Sequence, residues 1–573
     1  MNNFKLFLLI GLAYIINVQA TVKFKVLCGA ADYGGTGVTV YIDGVPNPMQ
    51  SLNQDILWEF SYEGTPTEYY YEVTGTAQNE LKLFGHPRTW DPQSTTTLYE
   101  VFGRRHTIGD DIIKTIPRIY EPLPGYDKYS ALFQEGEIPV INVQISAADY
   151  SRLISLINTE DVEFKVEFDL YTPYEKFHFT NVTLTLSGQG SKTQEKKPYK
   201  IELSENEQEP YNAEVYDRKE FKLRNVRFDE SGIKNKIVGD MAESLGLPIS
   251  QSAPCRLYIN NVSYGLYEIA DMYKKKFVRR FFNTEQDADG YVYGSLYKGV
   301  SGEYPAYLYS DFGTSKIQSL YESIVEPSAG GDPHQDIQNM IAWLEALPDN
   351  APKSQIEAQF DIDMFLKYAA LEYLICHWDG YLSNGNNFFI YIEPNNGKYH
   401  FFSYDFDLTM GKWCEKKDGT IDDYVKLITG NKGYGKEPKR LPLMYKKIIM
   451  NPEINPQFVS LIQEIVGNLF NIEALGPRID YFYEFLKDDL YWDIFSYNFI
   501  KTQFFKGADV QPVPTQADVD AQYTDLTNPE NLKAYVKYKS ENVASVYNIN
   551  GFKNEGKYGE VGGKLITIGK STE

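Results

Sequence analysis

Cysteine is scarce in this sequence: Cys28, Cys255, Cys376 and Cys414 are all there is in 573 residues. Four is too few for a disulfide-built scaffold, and no CxxC spacing makes a redox or metal pair. One long-range bridge and buried thiols both fit. Histidine is sparse, with six residues. No HExxH, no paired Cys/His zinc spacing, no G-x-S-x-G elbow and no Walker lysine loop occurs, so the metalloprotease, zinc-module, α/β-hydrolase and P-loop readings lose their signatures. Positive charge is also short: 56 Lys and Arg face 78 Asp and Glu, a formal net charge of −22. Such a chain repels nucleic acid and anionic membrane, but not basic protein segments or metal ions. Past the first twenty residues there is no long hydrophobic run to span a bilayer. Internal repeats and low-complexity tracts are absent.

What is present is an ordinary globular composition, 43% hydrophobic and 23% charged, with an excess of aromatics: 46 Tyr and 33 Phe. Rings in that number suit half-buried sheets and core packing. The length predicts two or three domains, or one large domain with an appendage. Residues 1–20 carry one Lys, an apolar run from Leu6 to Ile16 and Val18-Gln19-Ala20 before Thr21. That pattern predicts a secretory signal cleaved after Ala20. The end of the chain, GGKLITIGKSTE, lacks the hydrophobic tail of a lipid-anchor signal. Two sequons, at Asn181 and Asn261, fit a secreted or cell-surface glycoprotein.

Residues 21–115 read as a small β-sandwich-like domain: alternating runs (TVKFKVLC, GVTVYIDG, TEYYYEVTG) separated by Gly and Pro turns. Residues 116–134, with three prolines, read as a linker. From 135 the pattern is α+β. Strands and a hairpin closed by Asn260-Asn261 fill a β-rich part to about 330, and helices dominate 331–550. Residues 551–573 read as a tail. Within the β-rich part, Ile233, Ile237, Met241 and Leu245 recur at helical spacing behind two candidate caps, Asp229 and Ser231.

The chemistry concentrates in HWDGYLSNGNNFFIY and FSYDFDLTMG. His377-x-Asp379 with Asn384 five positions later places an acid and an amide in one loop past a helix. Asp405 and Asp407 follow a predicted hairpin that returns to that loop. Phosphoryl transfer needs an acceptor for a hydroxyl proton and oxygen ligands for magnesium near the phosphates, and this set supplies both. The blander alternative is a polar turn, with Asp379 and Asn384 making turn hydrogen bonds. Upstream, Gly188 and Gly190 lie between two strands, and Lys196, Lys197 and Lys200 lie on or beside the next one, where a strand lysine can neutralise phosphate.

In these pieces the sequence resembles the spore-coat protein H (CotH) kinase-like family of bacteria and mucoralean fungi. The matching blocks are LSGQGSKTQEKKPYKIEL, FDESGIKNKIVGDMAESLGLP, CRLYINNVSYGLYEIADMYKKKFVRRFF, HWDGYLSNGNNFFIY and FSYDFDLTMG, in family order over roughly residues 135–415. The resemblance implies an atypical two-lobed protein-kinase-like fold that binds ATP with magnesium or manganese and phosphorylates Ser or Thr on secreted proteins. It implies Asp379 as the catalytic acid and Lys196 as the nucleotide lysine, with Lys197 the alternative in register. Asn384 and Asp405 are implied as metal ligands, with Asn387 and Asp407 as second candidates. Asp271 stands where relatives often carry Glu. His377 reads as a residue bracing the loop.

Two functions follow as expectations. The first is a secreted kinase acting on coat, wall or other secreted proteins. The second is a surface adhesin or invasin that uses the same fold to hold a host or wall protein, for example a host-cell receptor.

Overall fold

Alternation of side chains builds the first unit. In Thr21–Leu27 every second residue (Val22, Phe24, Val26) is buried, and in Glu68–Thr74 so are Tyr69, Tyr71 and Val73. The computed structural model describes residues 21–563, except 53–54, 157–161, 189, 204–212, 283–285, 288–289, 432–439 and 505–511. The expected signal segment lies outside the described residues. The chain divides into two units, Met1–Thr107 and Ile108–Glu573. In the first, one sheet orders Gln50–Ser51, Leu57–Glu63, Thr21–Leu27 and Glu100–Val101, and the other Val45–Pro48, Gly37–Ile42, Glu68–Thr74 and Arg88–Thr89. Both feed one core, where the Phe24 and Tyr69 rings meet edge to face at 5.1 Å.

The second unit mixes α and β. Seven strands close into a barrel: β1 (Val140–Gln144), β2 (Glu163–Tyr171), β3 (Lys176–Leu186), β4 (Tyr199–Glu202), β5 (Glu220–Arg224), β6 (Ser252–Ile259) and β7 (Val262–Ala270). Their order is β1-β2-β3-β4-β5-β7-β6, with β6 closing onto β1 in the one parallel pairing. The barrel is filled from alternate positions, including Phe168, Ile201, Phe221, Leu223, Leu257 and Ile269. In β5 this buries Phe221 and Leu223 and turns Lys222 and Arg224 the other way. The β6–β7 turn is the expected Asn260-Asn261. Both residues have positive φ (51° and 64°), as a two-residue type I′ turn requires. Asn261 is thereby tied into the fold, its Oδ1 accepting from the amides of Asn142 and Gln144 at 2.7 Å each. The other sequon residue, Asn181, is exposed on β3.

A second, antiparallel sheet follows, ordered β9-β8-β10-β11 from β8 (Ser295–Gly299), β9 (Tyr321–Val325), β10 (Phe388–Ile392) and β11 (Tyr399–Ser403). It corrects the expected division near residue 330. Strands from either side of that point pair directly, Leu296 with Tyr391 among them. The helices that matter for the site are α1 (Lys234–Ser244), α2 (Ile362–Ile375), α3 (Ile472–Phe504) and α4 (Leu532–Tyr547). On α1, Ile237 and Met241 are fully buried with their neighbours Ile233 and Leu245. Neither expected cap holds the N-cap position, which is Ile233; Asp229, four residues earlier, instead takes the Lys234 amide at 2.8 Å and the Ser231 amide at 3.0 Å. No single described helix is long and apolar enough to cross a membrane.

The expected linker is not one. Ile116–Pro117 pairs antiparallel with Glu560–Val561 of the expected tail. Ile116, Ile119 and Tyr126 are buried, and Arg118 meets Glu243 of α1. The prolines cut regular structure there without freeing the chain, because pairing and burial come from residues hundreds of positions away.

His400 on β11 joins this sheet to the start of α2. Its Nδ1 lies 3.0 Å from Asp361 and its Nε2 2.7 Å from Glu393. Carboxylates only accept, so both ring nitrogens must donate and the ring is held as the cation. Burial opposes the charge, but the two carboxylates outweigh it and raise the pKa above the ordinary histidine value. A raised folded pKa gives stability that is complete below about pH 6.5 and is lost as pH rises through the folded value. Urea midpoints of the wild type should therefore fall above neutral pH more steeply than those of His400→Gln. Parallel pH curves for the two proteins would refute this.

Candidate functional site

The loop after α2 is made by a turn that few residues tolerate. Cys376 caps the helix in the left-handed region (φ 51°), and the chain doubles back so that His377 donates its amide to Glu372 O at 2.9 Å. His377 is fully buried, 5.1 Å from the Phe406 ring, and burial pulls its pKa down to about 4. It is a neutral brace at physiological pH. The buried Glu372 carboxylate takes the amides of Leu382 (2.7 Å) and Ser383 (3.2 Å). Gly380 has to be glycine because a Cβ there would sit 2.7 Å from that carboxyl carbon.

This scaffold presents Asp379 half-buried to a ring of amides. Asn384 Nδ2 donates to its Oδ1, Asn387 Nδ2 to its Oδ2 at 2.9 Å, and Asn386 Nδ2 to both at 3.3 Å. Burial raises its pKa to about 6, with the amides working against burial and the charge of Asp405 adding to it. Asn384 spends its amide on Asp379, and its own Oδ1 is buried without a partner.

Asp405 and Asp407 follow β11. The loop they start is stitched to its neighbours by the Tyr404 amide on Asn387 O (3.1 Å), the Phe406 amide on Asn235 Oδ1 (2.7 Å) and the Met410 amide on Ile375 O (2.7 Å). A disulfide, Cys376–Cys414, joins it to the end of α2. Cys28 and Cys255 are buried and take no part in a disulfide. Arg224 reaches over from β5. Its guanidinium binds Asp405, lies 3.5 Å from Asp407 and 3.3 Å from Glu268 on β7. Burial works against the Asp405 charge, but Arg224 wins and holds that carboxyl below the ordinary range. Burial and the neighbouring Asp405 push Asp407 well above it. One guanidinium thus serves three carboxylates and does not neutralise them.

Two adjoining cavities open here. The larger, about 400 Å³, is walled by Gly188 and Gly190, by Lys222, Arg224 and Lys298, and by Asp379, Asn387, Asp405 and Asp407. The other, about 280 Å³, shares Lys222, Arg224, Lys298, Tyr404 and Asp405, and adds Asp271 and the apolar Ile249, Met272, Tyr273, Ile324 and Phe389. Together they have the size and mixed lining of a small-molecule site. Most of the residues singled out in the sequence therefore meet in one cleft.

Lys196 and Lys197 do not reach it. Both precede β4, which begins at Tyr199, so neither has the strand position assumed for it. Lys196 Nζ is buried against Asp493 Oδ1 of α3 and Leu266 O, each at 2.6 Å. Lys197 Nζ bonds Lys192 O at 2.8 Å. Asp271 pairs with Arg218 (2.8 Å), not with a lysine of that segment. The cations common to both cavities are Lys222, Arg224 and Lys298; Lys200 of β4 and Lys274 line the smaller one only. Lys222 makes no ion pair among the described residues. Burial, with Lys298 and Arg224 nearby, lowers its pKa to about 8. The signal for it was the alternation in Glu220-Phe221-Lys222-Leu223-Arg224, which puts both cations on one face of a strand.

The family model described as CotH kinase protein matches residues 184–543, a span that contains every residue of this cleft. The chain belongs to the CotH family. Relatives include Invasin CotH3 of Rhizopus delemar, 24% identical over 500 residues, 85% of this chain and 78% of that protein. Spore coat protein homolog 1 of the same fungus is 25% identical over 484 residues, 83% and 73% of the two chains. Inner spore coat protein H of Bacillus subtilis is 21% identical over 312 residues, 54% and 75%. This CotH chain thus has both fungal and bacterial relatives, and the β-rich unit before residue 108 lies outside the matched family region.

Proposed function

We propose that this CotH chain is an atypical, two-lobed protein kinase that binds ATP in the cleft and transfers its γ-phosphoryl group to a Ser or Thr hydroxyl of a secreted, coat or wall protein. The observation that carries the reading is one cavity in which Lys222, Arg224 and Lys298 face Asp379, Asp405 and Asp407. A polyphosphate answers the cations, and a divalent cation answers the under-neutralised acids.

The donor set fits magnesium or manganese. Asp405 and Asp407 supply carboxylates and Asn387 an amide from the wall of the same cavity, close to Asn384, whose own Oδ1 is buried without a partner. When bound, such an ion neutralises phosphate charge. The chain's own residues do the rest. Lys222 and Lys298 hold phosphate oxygens, and Gly188 and Gly190 let backbone approach them without a Cβ. The apolar wall of Ile249, Met272, Tyr273 and Phe389 takes the base. Asp379, aimed by its three amides, accepts the hydroxyl proton as the hydroxyl oxygen bonds to phosphorus and the β–γ bridging oxygen leaves with ADP.

Millimolar Mg-ATP should raise the thermal midpoint of the full chain, because a ligand of the folded state alone must stabilise it. Lys222→Met should lose most of that rise. Lys196→Met should start lower, its partner Asp493 stranded, yet keep the rise. A wild type that melts identically with and without Mg-ATP would remove the nucleotide reading. A second reading, a surface protein that holds a host or wall protein, is favoured by the fungal relatives that bear the name invasin. Both readings put the chain at a cell or spore surface, and they are compatible.

A further inference from the structure

The mouth of the larger cavity carries an aromatic surface that the phosphate chemistry leaves unused. Trp413 is 49% exposed, and its ring lies 5.3 Å from Phe228 and 5.8 Å from Trp378. Phe228 belongs to the wall of the cavity that holds Asp379, and Trp378 is the residue before Asp379. The exposed Trp413 ring thus meets both Trp378 and Phe228, and Phe228 carries the strip to the wall of the cavity that holds Asp379.

A single exposed ring means little. This one is fixed by several independent restraints. Trp413 has φ 53°, a conformation costly for a bulky residue. Gly411, two positions earlier, has φ 101° and lies so close to the carbonyls of Pro529 and Glu530 that a Cβ would meet them at 2.7 Å. Lys412 Nζ is paired with Glu230 at 2.5 Å, and Cys414 is bridged to Cys376. Backbone strain, an ion pair and a covalent bond converge on holding one indole open at the reaction mouth.

We infer that Trp413, Phe228 and Trp378 seat a flat ring, aromatic or proline, that flanks the acceptor Ser or Thr in the substrate polypeptide. This rests on the phosphoryl-transfer reading above. The occupant is the acceptor and not the nucleotide, because the smaller cavity has its own apolar wall, which contains none of these three rings. Any polypeptide that presents a hydroxyl to Asp379 passes the residue next to it, and Phe228, which lines both the cavity and the strip, sets that adjacency. Ring-on-ring contact gives a preference of about three- to tenfold over alanine.

The test uses the full chain, Mg-ATP and a synthetic peptide library with a fixed central Ser or Thr and each flanking position varied in turn. The wild type should favour Trp, Tyr, Phe or Pro at one flanking position by that factor. Trp413→Ala should flatten this preference by raising KM for ring-bearing peptides, with KM for ATP and the Mg-ATP melting shift unchanged. Trp413→Phe should restore it, which separates the ring's role from a damaged loop. A preference that survives in Trp413→Ala, or a wild type indifferent to rings, overturns the proposal. Unlabelled peptides alongside a normal Mg-ATP shift overturn peptide docking and spare the nucleotide reading. Unlabelled peptides without a shift overturn both.

Discussion

Asp379→Asn is expected to lower phosphate transfer by about 10²–10⁴-fold, the range for removing a positioned general base. The substitution keeps the shape and takes away the proton acceptor. It also has a structural side. Three asparagine amides converge on the carboxylate of Asp379, and an amide in its place offers them one oxygen instead of two. About 1–3 kcal/mol of local stabilisation is lost when a donor is left facing no acceptor, so the midpoint should drop by no more than a few degrees. Asp379→Asn should still show the Mg-ATP melting shift, because neither Lys222 nor the apolar wall of the base cavity is touched. Transfer activity equal to that of the wild type would sink the assignment of Asp379. A protein that does not fold would be separated from one that does not react by the same melting curve.

Arg478→Met is expected to be the most damaging substitution for stability in the second unit, at about 3–5 kcal/mol, the cost of stranding a buried ion-pair partner. Arg478 on α3 is completely buried and binds Asp240 Oδ2 on α1 at 2.9 Å, Glu135 Oε2 at 2.9 Å and the backbone carbonyl of Lys114. Without it, two acids face each other across the core with only Lys236 nearby. The pH dependence carries a sign. Burial opposes the Glu135 charge, but Arg478 outweighs it and holds the pKa at about 2. A depressed folded pKa stabilises above the unfolded value, about 4.3 for glutamate, and that contribution disappears as pH falls through about 2. The wild type should therefore lose stability between about pH 4.3 and 2. Arg478→Met should not lose this share, so the gap between their urea midpoints should narrow on acidification. A constant gap across that window would show that Glu135 is not the linked group.

Local spacing made much of the cleft legible. Asp379, Asn384 and Asn387 sit within nine residues, and Asp405 and Asp407 come back through a hairpin whose turn is visible as Asn395-Asn396-Gly397. Short-range rules are sufficient for such a group. The cations are different. Three lysines crowd KKPYKIEL, and the strand begins only at Tyr199, so which of them faces a phosphate depends on a start point that the sequence does not mark. Lys222 and Arg224 lie on a strand with plain alternation, but which of its faces looks at the cleft is decided by barrel closure, through the pairing of β5 with β4 and β7. The linker failed for the same reason, because Ile116–Pro117 finds its partner strand more than four hundred residues later. Proline content reports on local geometry and says nothing about such a distant neighbour.

The Cys376–Cys414 bond has a topological consequence. It closes residues 376–414 into a ring, and Asp379, Asn384, Asn386, Asn387, Asp405 and Asp407 all lie inside that ring. The longest exposed run in the ring is the turn at Pro394–Asn396. A protease that cuts there separates the acid from the two aspartates along the chain but not in space, since both fragments stay joined through sulfur and through the β10–β11 ladder. Such a nicked molecule would run as one band until a reductant is added, and as two afterwards.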